Sequence, residues 1–183
     1  VWKHRCFEWV GESIEVDQLV AEARAAKSMF SNGGGVTFGG GEPTLQADAI
    51  LEAIAKLRAI GINTAIETNA STPGFPRLIG QIDHMICDLK AVTSTLHRTM
   101  TGIPSEPVLD NLTQAAASQS SLLIRIPVVT IYNDLSSELD AMAKALAELS
   151  EKRLRALHLP LHVELIQTAH IGSPKYEALD MPY

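Results

Sequence analysis

Apolar residues recur along this chain in two alternating rhythms, one helical and one of short unbroken runs. Val16, Leu19, Val20, Ala23, Ala26 and Phe30 share a face and predict a helix over 16–30. Val36 to Phe38, set between two glycine triplets, predicts a short buried strand feeding a tight loop. Ile50, Leu51, Ile54, Leu57 and Ile60 predict a helix over 46–60, stopped by Gly61. Strands follow at 62–68, 84–89, 122–129 and 162–166. Helices are expected at 75–80, 93–100, 105–118 and 135–149, with a loop at 69–74 and a turn at Asn133-Asp134. The first fifteen residues show no period, and the tail over 168–183 reads as loop.

Strand and helix repeated in this way predict an α/β fold, with a parallel sheet and helices outside it. Crossovers of this kind are right-handed, so the sheet either stays open and doubly wound or curls toward a barrel. The pattern does not choose between them. The nearly continuous apolar run Leu122 to Val129 predicts a strand covered on both faces.

Composition narrows the function. The 183 residues suit one domain, with 46% hydrophobic and 20% charged positions. A net charge of −6, from 15 Lys+Arg against 21 Asp+Glu, argues against nucleic acid or an anionic membrane as the main partner. Aromatic residues make up 5%, too few for a stacking platform for single strands. No apolar run approaches the roughly 20 residues that span a bilayer. Cys6 and Cys87 stand far apart, which is neither a disulfide framework nor a metal knuckle and fits a reducing, cytoplasmic setting.

The candidate chemistry lies where strands end, the edge at which parallel α/β folds bind ligands. In order these ends carry Gly39-Gly40-Gly41-Glu42-Pro43, then Glu67-Thr68-Asn69, then Asp88 and Lys90, then Arg125, then Gln167 and His170. Glycines leave backbone groups open to a ligand, and Glu42, alone among ionisable groups in its loop, is suited to an amine. A glycine-rich turn without a ligand is the plain alternative. Each polar strand end could singly be a cap or turn residue, but the set exceeds what solubility requires. Arg125 lies in an apolar strand and must meet a carboxylate, of the protein or of a ligand. His97 is expected to pack or cap, His158 and His162 to lie at the surface, and Cys87 to serve as a small buried hydrophobe. Lys152, Arg153 and Arg155 are expected to form a solvated helix end.

Taken together, Gly35-Val36-Thr37-Phe38-Gly39-Gly40-Gly41-Glu42-Pro43 resembles the Gly-Gly-Glu-Pro motif of radical S-adenosylmethionine enzymes, specifically the activating enzymes of glycyl radical enzymes such as pyruvate formate-lyase activase. Glu67-Thr68-Asn69 resembles that family's Asp-Thr-Asn strand end. Asp88-Leu89-Lys90 with His97 and Thr101-Gly102 resembles its Asp-Leu-Lys…His…Thr-Gly signature, and Arg125-Ile126-Pro127 through Asn133-Asp134 its Arg-x-Pro…Asn-Asp segment. Glu164-Leu165…His170-Ile171-Gly172…Lys175-Tyr176 resembles its closing strand and loop. Gly39 stands where the family usually has Ser, and Glu67 where pyruvate formate-lyase activase has Asp.

The resemblance implies a partial parallel (β/α)6 barrel over 16–183. Gly40, Gly41 and Glu42 would hold the amino group of S-adenosylmethionine, and Lys90, Arg125 and His170 would line its pocket. Glu67, Thr68 and Asp88 would match a monovalent-cation site. It further implies reductive cleavage of S-adenosylmethionine to a 5′-deoxyadenosyl radical, hydrogen abstraction from a glycine of a partner glycyl radical enzyme, and a flavodoxin-like or ferredoxin-like electron donor. The family's C-x-x-x-C-x-x-C loop, which holds a 4Fe-4S cluster, is absent from this sequence. Residues 1–15 are therefore expected to be the remnant of a truncated cluster region, with the barrel's first strand missing and no catalytic cysteine present. The chain alone is expected to be inactive and prone to dimerise through an open sheet edge. A cluster-less homologue acting as a partner-binding or small-molecule-binding module is the second reading. A phosphate-binding α/β enzyme ranks last, because Glu42 would repel phosphate.

Overall fold

The computed structural model describes residues 11–167 and 173–181. Helix α1 (Val16–Ala25) leads through 3-10 turns into β1 (Gly35–Phe38). A 3-10 turn, Pro43–Gln46, opens α2 (Ala47–Ala59), and β2 (Asn63–Thr68), α3 (Phe75–Leu78) and β3 (His84–Asp88) follow. Two helices, α4 (Ser94–Thr101) and α5 (Glu106–Ala116), precede β4 (Ser121–Val128). Then come α6 (Ser136–Leu157), β5 (His162–Gln167) and α7 (Ser173–Ala178).

All neighbouring strands run parallel, in the spatial order β1-β2-β3-β4-β5. That order decides what the periodicity left open. A doubly wound sheet reverses direction at a switch point. Here every crossover moves the same way, so right-handed connections put every crossover helix on one face and the sheet curls as part of a barrel.

The helix-covered face holds the core. Phe38, Ile66, Met85, Cys87, Leu122, Ile124 and Ile126 point into it and join Ile50, Ile54 and Leu57 of α2, Val108 and Leu112 of α5, and Met142 and Leu149 of α6 in one buried cluster. Alternate residues, Thr37, Glu67, Asp88 and Arg125, take the other face and stay partly or fully exposed. β4 therefore departs from expectation. Leu122, Ile124 and Ile126 are buried, whereas Leu123, Arg125 and Pro127 are only partly so, because no helix layer covers the concave face.

Other boundaries shift for local reasons. The first helix ends at Ala25, before Phe30, and the chain continues through 3-10 turns with left-handed φ at Asn32 and Gly33. The last long helix runs to Leu157 rather than stopping near 149, where His158 takes the left-handed cap position. Residues 173–178, expected as loop, form α7. Among the described residues no helix is long and apolar enough to cross a membrane. Residues 1–10, most of the expected remnant, lie outside the described residues.

One loop carries visible strain. Ile131, after β4, sits at φ 65° with 77% of the residue exposed. A β-branched residue there costs about 1–2 kcal/mol, against about 0.5–1 kcal/mol for a glycine's added unfolded-state entropy. Ile131→Gly is expected to stabilise the fold by about 0.5–1 kcal/mol in urea unfolding. A lowered midpoint would show that the side chain makes contacts worth more than the strain.

Candidate functional site

Parallel strands in sequential order bring every strand's C-terminal end to one edge, and the polar groups converge there. Glu42 leaves the glycine loop after β1 and makes the densest set of contacts. Its Oε1 accepts from the Thr44 backbone N–H at 3.1 Å, from the Thr44 hydroxyl, and from the Thr68 hydroxyl at 2.7 Å. Its Oε2 accepts from the Asn69 N–H at 2.9 Å. These bonds cap the 3-10 turn and lock the β1 loop to the end of β2. Among the described residues Glu42 meets no cationic side chain.

Beside it the backbone is bare. A Cβ added at Gly39, Gly40 or Gly41 would meet nothing within 4 Å, so packing does not exclude side chains there. Only Gly40, at φ 114°, is required by backbone conformation. The loop thus offers open space bounded by one carboxylate.

Arg125 meets the carboxylates its position demanded. Register pairs it with Asp88 across β3 and β4, and its Nε donates to Asp88 Oδ1 at 2.8 Å while Nη2 lies 3.3 Å from Glu67 Oε2. Partial burial alone would lower the guanidinium's pKa, but the hydrogen bonds and charges of Asp88 and Glu67 outweigh it, so the net shift is upward. Thr68 goes elsewhere. Successive strand residues face opposite ways, so its hydroxyl turns from the Glu67–Asp88 face and serves Glu42, with 4% of the residue exposed.

Lys90 stands just past β3, partly exposed, and among the described residues makes no salt bridge. Its carbonyl is held by Asn133. That side chain, 1% exposed, donates Nδ2 to the Lys90 and Pro127 carbonyls, each at 2.8 Å, and accepts from the Val129 N–H at 2.7 Å. The expected Asn133 turn therefore positions the site as well as reversing the chain. His170 lies outside the described residues.

His97 is structural, as expected: 3% exposed, with Nδ1 2.8 Å from the Ile103 carbonyl and 3.0 Å from the Thr101 hydroxyl. His158 and His162 are exposed. Cys87 is fully buried, and burial, reinforced by the charges of Asp88 and Glu42, drives its thiol pKa upward, so it stays protonated and inert.

Arg153 corrects the expectation of a solvated helix end. Lys152 and Arg155 are exposed, but Arg153 is 3% exposed and donates to the carbonyls of Pro160, Ala116, Ser118 and Ser120. The extra turns of α6 carry it under the end of α5. Burial lowers its pKa, yet four carbonyls satisfy the charge. The sequence also gave no warning of Thr44 and Thr72, whose hydroxyls lie 2.7 Å apart behind Glu42, since a threonine after a proline reads as an ordinary turn residue. Nor did it single out Glu138, whose carboxylate accepts from the Val92 and Thr93 N–H groups at the start of α4.

The donor set among the described residues suits an amino acid. An acceptor-only carboxylate beside uncrowded backbone fits the ammonium of an amino acid. Among the described residues no three or more His, Cys, Asp or Glu side chains come together as a metal-holding group, and Cys87 is buried.

Comparison with known proteins gives the family and the fold. The model of the Radical SAM superfamily matches residues 3–161. The (2S)-3-sulfopropanediol dehydratase activating enzyme of Klebsiella oxytoca is 28% identical over 94% of this chain and 54% of its own length. The choline trimethylamine-lyase activating enzyme of Oleidesulfovibrio alaskensis is 30% identical over 95% and 56%. The pyruvate formate-lyase 2-activating enzyme of Escherichia coli is 32% identical over 94% and 57%. The chain thus spans about half the length of the curated relatives it matches. A solved domain of pyruvate-formate lyase-activating enzyme from Bacteroides vulgatus superposes with a TM-score of 0.56 at 24% identity, over 72% of this chain and 99% of that one, which supports the partial barrel. With the Gly-Gly-Glu-Pro loop at the edge of such a barrel and the family's model matched along most of its length, this chain belongs to the radical S-adenosylmethionine superfamily.

Proposed function

We propose that this chain is the S-adenosylmethionine-binding part of a glycyl radical enzyme activating enzyme. The observation that carries the reading is Glu42, a carboxylate held by four donors, without a cationic partner among the described residues, beside open glycine backbone. The relatives above, named as activating enzymes for different lyases, support the same class without fixing the partner.

In this reading Glu42 takes the ammonium on Oε2, and the backbone of Gly40 and Gly41 lies along the methionyl part. Lys90, held at its carbonyl by Asn133, and Arg125 face the ligand's carboxylate, and His170, outside the described residues, is assigned to the pocket on the family resemblance alone. Glu67 and Asp88 are the carboxylates for a monovalent cation, for which an ion would compete with the Arg125 guanidinium. S-adenosylmethionine held there would supply, on one-electron reduction and loss of methionine, a 5′-deoxyadenosyl radical for hydrogen abstraction from the partner's glycine. The protein's part is to orient the ligand and exclude water. Two cysteines cannot provide the three thiolates of the cluster, so the chain by itself is expected to be inactive, and a flavodoxin-like or ferredoxin-like donor would serve the cluster-bearing protein. Among the described residues β1 and β5 each pair on one side only, and Val163 and Leu165 of β5 are exposed, which supports self-association of the chain through a sheet edge.

The test joins the chain to a segment bearing C-x-x-x-C-x-x-C and reconstitutes it anaerobically with iron and sulfide. Reduction is expected to release methionine and 5′-deoxyadenosine in equal amounts from S-adenosylmethionine. A loaded cluster that releases neither would overturn the assignment and favour the non-catalytic module.

A further inference from the structure

Behind Glu42 lies a line of buried hydroxyls with one permitted direction. A carboxylate only accepts, so the Thr44 hydroxyl must donate to Oε1. Its oxygen must then accept from the Thr72 hydroxyl at 2.7 Å, and Thr72 in turn accepts from the Gly74 N–H at 3.2 Å. Thr44 and Thr72 are 1% and 9% exposed, so no water competes for Thr44. The loop is built to come this close: a Cβ at Gly74 would stand 2.1 Å from the Thr44 carbonyl oxygen, a distance only glycine allows.

The result is an asymmetric carboxylate. Oε1 carries three donors, which use its lone pairs, whereas Oε2 carries one and keeps acceptor capacity on the side away from the threonines. We propose that Thr44, oriented by Thr72, is a positioning residue that commits Glu42 Oε1 to the protein and so presents Oε2 alone to the ligand's ammonium. This rests on the preceding reading that Glu42 binds the amine of S-adenosylmethionine. Without the Thr44 hydroxyl the carboxylate keeps the Thr44 N–H, Thr68 and Asn69 bonds but loses one of its four anchors, so its orientation toward the amine is held less firmly.

The experiment measures binding by calorimetry in the chain joined to the cluster-bearing segment and reconstituted as above, using S-adenosylmethionine and its analogue lacking the α-amino group. Thr44→Val is expected to weaken S-adenosylmethionine about 10-fold, the size of one charge-assisted hydrogen bond, and to leave the analogue unchanged. Thr44→Ser, which restores the hydroxyl, should return affinity to within about 2-fold. Thr72→Val leaves Thr44 in place and should give a smaller loss, again for the amine-bearing ligand alone, so the idea stays testable if Thr44→Val folds poorly. Equal weakening of both ligands would show Thr44 to be merely structural and overturn this proposal while leaving the assignment of Glu42 intact. Absence of S-adenosylmethionine binding by the unmodified protein would overturn both.

Discussion

Glu42→Gln is expected to lower affinity for S-adenosylmethionine about 100-fold, and product formation with it. The amide keeps the shape but loses the charge, and it replaces one acceptor oxygen by a donor. With its oxygen toward Thr44 and Thr68, its NH2 faces the Asn69 N–H and the incoming ammonium. Turned over, the NH2 faces three donors instead, which is worse. The lost charge-assisted bond accounts for about 1.5–3 kcal/mol, and repulsion adds to it. Calorimetry of the variant checks the first part, and a urea titration checks that the fold survives with a loss of about 1–3 kcal/mol. Unchanged affinity would remove Glu42 from the site and the central observation from the proposed function.

The largest effect on stability is expected at Arg153. Arg153→Met fills a similar volume but leaves the buried carbonyls of Ala116 and Ser120, and the more accessible ones of Ser118 and Pro160, without the donors they now share. Three of these belong to the end of α5 and the turn into β4, where the helix dipole also favours a cation. An unsatisfied buried polar group costs about 1–3 kcal/mol, and partial rearrangement limits the sum to about 3–4 kcal/mol. Arg153→Lys should recover little, because one ammonium cannot span carbonyls that the planar guanidinium reaches from three nitrogens. Urea unfolding of both variants tests this. A loss below about 1 kcal/mol for Arg153→Met would mean that water replaces the guanidinium.

The periodicity located the five strands and most of the helices because helix and strand periods differ and the longer helices each bury one face, whereas α7, which buries no residue, left no periodic signal. It failed where two conformations share a composition. The 3-10 turns after α1 and the length of α6 depend on what the chain packs against rather than on period. Arg125 was legible, since a charge in an apolar strand must find a partner, and Asp88 and Glu67 supply it. Arg153 was not, because a basic residue among Lys152 and Arg155 reads as solvent-facing until α5 is placed beside it. Thr44 and Thr72 were silent for a related reason: they meet across 28 positions, and nothing local marks two threonines as partners.

By itself, then, the sequence determined that the fold is α/β, that polar groups gather at strand ends, and that Glu42 in its glycine loop is the group to test. Those follow from side-chain period and from backbone freedom, which are local. Only the tertiary structure decided that the strands lie in sequential order, that Thr68 turns to Glu42 rather than to Glu67 and Asp88, and that Arg153 is buried. Each depends on which residues become neighbours across the sheet or between layers, and that is fixed by register and packing rather than by any stretch of the chain alone.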